Sequence, residues 1–255
     1  MAELKTPGEL AAMREAGRVT ATVLAAVRGQ AKAGVSLREL DEIAADVLHA
    51  AGARSSFLDY HPHFAPTPYP AVLCTSVNDA IVHAIPDDYQ LRDGDLLSVD
   101  FAAEFGGFHG DSAFTMAIGA ISAEDEALID HTREALAAGI AAAVPGGHLS
   151  DISHAVGVLG RAHGYGIPVD FGGHGVGRRM HEEPPVANEG MPGRGLRLRP
   201  GLVIAIEPMF MAGGRNEYRT APDGWALHTV DGSNAAHFEH TIAVTEDGPV
   251  ILTAI

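Results

Sequence analysis

The chain has 255 residues, 46% of them hydrophobic and 20% charged, which is enough to bury a substantial core and argues against a disordered tail. Its formal charge of −16, from 17 Lys and Arg against 33 Asp and Glu, leaves too little basic surface to hold a phosphate backbone, so a nucleic-acid partner is excluded. The lone cysteine, Cys74, rules out an internal disulfide and fits a reducing compartment, and with no signal peptide or apolar run of membrane-spanning length the expectation is a cytoplasmic protein without a membrane partner.

In chain order, Thr6-Pro7-Gly8-Glu9 predicts a capping box with proline in the first turn, opening a helix to about Gln30. Ser36-Leu37-Arg38-Glu39 repeats the device, and Leu37, Leu40, Ile43, Ala44 and Val47 give helical period up to Gly52. Residues 61–70, HPHFAPTPYP, hold four prolines and predict a loop at the rim of a site. Segments 71–84, 95–105 and 108–118 are rich in Val, Ile, Leu and Phe and read as strands between turn signals. Helices are then predicted from Ser122 to about Val144 and from Ser150 to about Gly164, followed by strands over 201–211, 235–245 and 249–254. The similar entries KAGVSLREL and VPGGHLSDI, taken with Ser36 matched to Ser150, suggest a repeated helix–helix–strands plan. We therefore expect one domain over 1–255, with halves of about 1–120 and 121–255 facing a central cleft.

The chemistry is expected where acids interrupt apolar strands. Asp100 lies in DLLSVDFAAEF, Glu207 in LVIAIEPMF and Glu239 in HFEHTIAVT. A buried carboxylate is costly unless it is paired or holds a cation. Any one of them alone would more often face solvent. If Gly106-Gly107 form a two-residue turn, position 111 faces 102 and Asp111 lies diagonally beside Asp100, roughly 7 Å away at the backbone. Two such acids alone would also suit a glycosidase. The segment FGGHGVGRRMHEEPP adds His174 and His181 among glycines, which we expect to let backbone crowd a metal site. Four carboxylates and the imidazole of His174 make an oxygen-rich set, large enough for two divalent ions. Cys74 has no apparent histidine–acid partner and reads as a buried or pocket-lining thiol. His240 should point to the face opposite Glu239.

The segments VNDAIVHAIPDD, FHGDSA, GGHGVG, MHEEP, AIEPMF and FEHTIAVT, in this order and spacing, resemble the type 1 methionine aminopeptidases over essentially the whole chain. That resemblance implies an α+β pita-bread fold, with two pseudo-symmetric halves around a dimetal cleft. It implies Asp100 on one metal, His174 and Glu207 on the other, and Asp111 and Glu239 bridging. His83 and His181 would contact the scissile peptide, and Glu207 would also shuttle protons. The methionine pocket would comprise Tyr69, Cys74 and Trp225, with Phe57 and Tyr60. The implied activity is removal of the initiator methionine from peptides and nascent chains with a small second residue, by a metal-bridging hydroxide. The cofactors would be two divalent ions, Co, Mn, Fe or Zn, in a monomer with ribosome association left open. HAIP in place of the usual HGIP, Met180 in place of an aromatic, and a longer 61–68 loop depart from the pattern. A same-fold Xaa-Pro aminopeptidase and a catalytically silent binding protein are the alternatives. The first normally carries a large extra N-terminal domain, and the second would be expected to lose ligands.

Overall fold

A computed structural model describes residues 2–63 and 65–254, so Phe64 of the proline-rich loop lies outside the described residues. The chain runs α1 Pro7–Gln30, α2 Leu37–Ala50, β1 Arg54–Ser55, β2 Cys74–Val77, β3 Ala80–Val82, β4 Leu96–Phe105, β5 Phe108–Ala117, α3 Ala123–Ala142 and α4 Leu149–Ala162. It continues with β6 Gly172–Gly175, β7 Glu182–Ala187, β8 Val203–Ile206, β9 Met209–Met211, β10 Tyr218–Thr220, β11 Leu227–Thr229, β12 Ala235–His237, β13 Glu239–Thr245 and β14 Gly248–Ile251.

The expected caps form as read. Thr6 and Glu9 satisfy each other's backbone N–H groups at the head of α1, and Ser36 and Glu39 do so at the head of α2. Each box satisfies amide donors that the first helical turn leaves without partners. The entry to α4 differs from expectation. Its N-cap is His148, not Ser150, and the His148 N–H donates to Asp151 at 2.7 Å. The structural match to Ser36 is therefore His148, an offset of 148 minus 36, or 112 residues. The correspondence is closer in this frame, because Gly34 and Gly146 both take positive φ two residues before their caps.

The strands assemble into an antiparallel layer in the order β1-β4-β5-β13-β8-β6-β7, with β2 on β4 and β14 on β13. A second small sheet, β10-β11-β3, and the pair β12-β9 complete the walls of the cleft. Helix α1 packs across β4 and β5, while α3 and α4 pack on each other and reach β8, β9 and β7. The apolar faces of all four helices meet the sheet in one core containing Val23, Leu40, Leu97, Phe101, Leu128, Ile204 and Phe210. Burying such side chains contributes about 1.5–3 kcal/mol each, and it is this packing that fixes helices to sheet.

Several elements were not expected from sequence. The glycine-rich segment 172–175 is a strand, β6, and Gly172 and Gly173 also line the cavity that holds the acids. A Cβ on Gly173 would lie 2.0 Å from the Ala205 carbonyl oxygen, and one on Gly175 would lie 2.3 Å from that of Glu183. The glycines let β6 press against β7 and β8. The expected strands 201–211 and 235–245 are each broken, at Glu207-Pro208 and at Phe238. No helix among the described residues is long and apolar enough to cross a membrane.

Candidate metal centre and substrate pocket

The turn at Gly106-Gly107, both at positive φ, pairs Phe105 with Phe108 and Ala102 with Asp111, as the two-residue hairpin requires. Asp100 faces Ala113 in the same ladder, so Asp100 and Asp111 are diagonal neighbours on one face. Glu239 lies opposite Ala113 on β13, which brings a third carboxylate to the same place. The backbone around them is held by hydroxyls. The Asp111 N–H donates to Thr241 Oγ1 at 2.9 Å, the Thr241 hydroxyl donates back to the Asp111 carbonyl at 2.8 Å, and the Ser112 hydroxyl donates to the Glu239 carbonyl at 2.7 Å. Glu207 enters from the break after β8, its own carbonyl accepting from the Asn188 amide at 3.0 Å.

His174 on β6 completes the set. Its Nδ1 donates to the Gly175 carbonyl at 2.9 Å, leaving Nε2 as the free electron pair. That atom lies 3.8 Å from Asp111 Oδ2 and 3.7 Å from Glu207 Oε1. Burial pulls the His174 pKa down to about 4, so the ring is neutral near pH 7.

The carboxylates are held in the opposite sense. Burial raises Asp111 to about 7, and burial with the Asp111 charge raises Glu207 to about 8. Asp100 and Glu239 are pushed well above the ordinary range, first by burial and then by neighbouring carboxylates. Asp100 Oδ1, Asp111 Oδ1 and Glu239 Oε1 are buried without a hydrogen-bond partner among the described residues. Such oxygens are expensive unless something positive meets them. Four acids, three of them with orphaned oxygens, beside a neutral imidazole are a donor set that fits divalent metal.

One cavity of about 310 Å³ is lined by these five side chains together with His83, His181, Phe57, Tyr60, Tyr69, Cys74, Met180 and Trp225. Cys74 on β2 lies opposite Asp100 on β4, so the apolar part adjoins the acids directly. Its walls are fixed. Tyr69 stacks edge-on against Trp225 at 5.0 Å and donates its hydroxyl to the Ala84 carbonyl at 2.9 Å, and the Trp225 indole N–H donates to the Thr67 carbonyl at 3.2 Å. Met180, the departure noted in the sequence, is 5% exposed and packs in the same apolar cluster. Cys74 is buried, and burial followed by the Asp100 charge raises its thiol pKa, which agrees with an inert lining role.

His181 lies 4.1 Å from His174 between ring centres, and its Nδ1 meets the Tyr60 hydroxyl at 3.0 Å. His83 follows β3 with φ of 62°, a conformation seldom adopted by residues other than glycine and one that concentrates at functional sites. Burial lowers His83 to about 4 and His181 to about 3. His240 turns away as expected, its Nδ1 meeting Thr253 Oγ1 at 2.9 Å. The sequence reading missed His237, which is buried beside Glu207 and Glu239. It lies two residues before Glu239, the spacing that strand parity would put on one face, and the two stay adjacent although the strand breaks at Phe238.

The sequence pattern of metallopeptidase family M24 matches residues 11–246. The chain belongs to that family. It is 48% identical to methionine aminopeptidase 1 of Mycobacterium tuberculosis, across 98% of this chain and 94% of the relative. It is 44% identical to methionine aminopeptidase 1 of Bacillus subtilis, across 98% of each. The crystal structure of methionine aminopeptidase from Thermotoga maritima superposes with a TM-score of 0.95 at 36% identity, covering 100% of both chains. These relatives put the chain among the methionine aminopeptidases of the family, with its pita-bread fold. The prolidase from Pyrococcus furiosus shares the fold, with a TM-score of 0.76 at 20% identity over 65% of its length.

Proposed function

We propose that the protein is a divalent-metal aminopeptidase that hydrolyses the first peptide bond of chains beginning with methionine and prefers a small second residue. The observation that carries this reading is the adjacency of the orphaned carboxylate oxygens and the rigid apolar pocket within one cavity. We assign Asp100, Asp111, His174, Glu207 and Glu239 to hold two cations, with Asp111 and Glu239 shared between them. Bound there, divalent cations supply Lewis-acid polarisation and make water nucleophilic near neutral pH.

The remaining roles belong to the protein. Glu207 takes the proton from the attacking water and passes it to the leaving amine, and the cations bound beside it would keep its carboxylate ionised to accept that proton. We assign the Tyr60 hydroxyl as the donor to His181 Nδ1, which would put the proton of that ring on Nε2, where it can stabilise the developing oxyanion. His83, which lines the same cavity, holds the peptide nitrogen. Phe57, Tyr60, Tyr69, Cys74 and Trp225 enclose the methionine side chain, and bulk at the second residue is refused by sterics. We read 1–255 as a single catalytic domain with an internal repeat, acting as a monomer on nascent chains in the cytoplasm. The lone free cysteine supports a reducing compartment.

The test is release of methionine from Met-Ala-Ser by protein loaded with manganese or cobalt, compared with leucine from Leu-Ala-Ser. The proposal expects cleavage of the first alone. Equal cleavage of both would remove the assigned pocket from the account.

A further inference from the structure

None of the roles assigned above uses His237. It ends β12 with only 1% of its surface exposed, and neither ring nitrogen has a hydrogen-bond partner among the described residues. Its main chain is clamped. The His237 N–H donates to Thr115 Oγ1 at 2.8 Å, and the Thr115 hydroxyl donates back to the His237 carbonyl at 2.9 Å. The imidazole is therefore placed by the sheet and aimed into the acid cluster.

Its Nε2 lies 3.7 Å from Glu207 Oε2 and 3.9 Å from Glu239 Oε2. These separations are too long for hydrogen bonds. They match donor atoms arranged around one ion, since bonds of about 2.1 Å put two donors about 3.4 Å apart at a tetrahedral angle and about 4.2 Å apart when opposite. Glu207, His237 and Glu239 form one compact donor group, and Asp111, His174 and Glu239 form another, with Glu239 common to both. Glu207 is flanked on both sides, Oε1 facing His174 at 3.7 Å and Oε2 facing His237 at 3.7 Å.

We propose that His237 is a sixth protein ligand of the metal centre, its Nε2 binding a cation held by Glu207 and Glu239. The inference rests on the cleft being a metal centre, the reading given under the proposed function. A second imidazole softens the donor set, so affinity should rise for cobalt and zinc relative to manganese.

The direct test is anomalous scattering from cobalt-soaked crystals of the unaltered protein. The expected result is a peak within about 2.3 Å of His237 Nε2 that is also in contact with Glu207 and Glu239. Peaks in the cleft that all lie more than about 3 Å from Nε2 overturn the role of His237 and leave the metal centre standing. A cleft without peaks overturns both. In solution, calorimetric titration of cobalt into His237→Gln and His237→Ala should show at least one binding event weakened about tenfold or more. Thermal melts of the metal-free variants report whether they fold. Folded variants that bind cobalt as tightly as the unaltered protein would contradict the assignment.

Discussion

Stripping the cations and raising the pH should destabilise the protein in a way that identifies the carboxylate cluster as the cause. In the metal-free fold Asp111 is raised to about 7 and Glu207 to about 8, with Asp100 and Glu239 also raised. In the unfolded chain all four ionise near their ordinary values of about 3.9 and 4.3. The folded chain thus keeps protons that the unfolded chain has released, and stability falls as pH rises through the folded values. The histidines act the other way. His83, His174, His181 and His237 titrate at about 3 to 4 in the fold. Their contribution makes stability rise with pH, but only up to the unfolded value of about 6.5. Above pH 7 the carboxylates dominate. Counting a single retained proton, the step from pH 7 to 8 costs about 1.4 kcal/mol. For a domain of this size that is roughly 3–6 °C in Tm. Bound cations replace the protons, flatten the slope and contribute about 2.7 kcal/mol per site at 100 times Kd. Calorimetric melts at pH 7, 7.5 and 8, in chelator and in manganese, would measure this. The expected result is a steep decline in chelator alone. A chelated protein whose Tm holds or rises across this interval would refute the reasoning.

Gly173→Ala would drive a Cβ to within 2.0 Å of the Ala205 carbonyl oxygen, backbone against backbone. Overpacking of that kind should cost about 3 kcal/mol in urea unfolding, and a change below about 0.5 kcal/mol would contradict the close approach of β6 and β8. Tyr60→Phe removes the hydroxyl that meets His181 Nδ1. Loss of one hydrogen bond of about 1 kcal/mol predicts roughly a fivefold fall in kcat with bound metal unchanged, whereas full activity would dissociate Tyr60 from His181. The buried Cys74 thiol, with its raised pKa, should resist iodoacetamide at pH 8 until the protein is unfolded. Rapid labelling of the native protein would show that the pocket wall is open.

Much of this architecture is legible because local signals and tertiary demands coincide. The Thr6–Glu9 and Ser36–Glu39 boxes announce their helices, and the Gly106-Gly107 turn alone fixes the diagonal of Asp100 and Asp111. What escaped the sequence reading depends on long-range contact. Segment 172–175 has no β-branched residue to mark a strand, and only the neighbouring backbones of β7 and β8 explain its glycines. The kinks at Glu207-Pro208 and Phe238 divide strands that periodicity alone would run through. His148 is a weak capping residue, so the eye settles on Ser150, although Asp151 marks the true entry. His237 was missed for a different reason. The parity argument that dismissed His240 was available for it, but a lone histidine in an apolar strand carries no sign of the acids folded around it.

The central claim is most directly tested by dialysing the purified protein to a metal-free state and titrating manganese back. Bound metal and methionine release from Met-Ala-Ser should be measured on the same samples. The account predicts no turnover at the start and activity rising in step with metal binding, with both lost in the double variant Asp111→Asn, Glu239→Gln. Undiminished turnover in the metal-free protein, or in that variant, would contradict it.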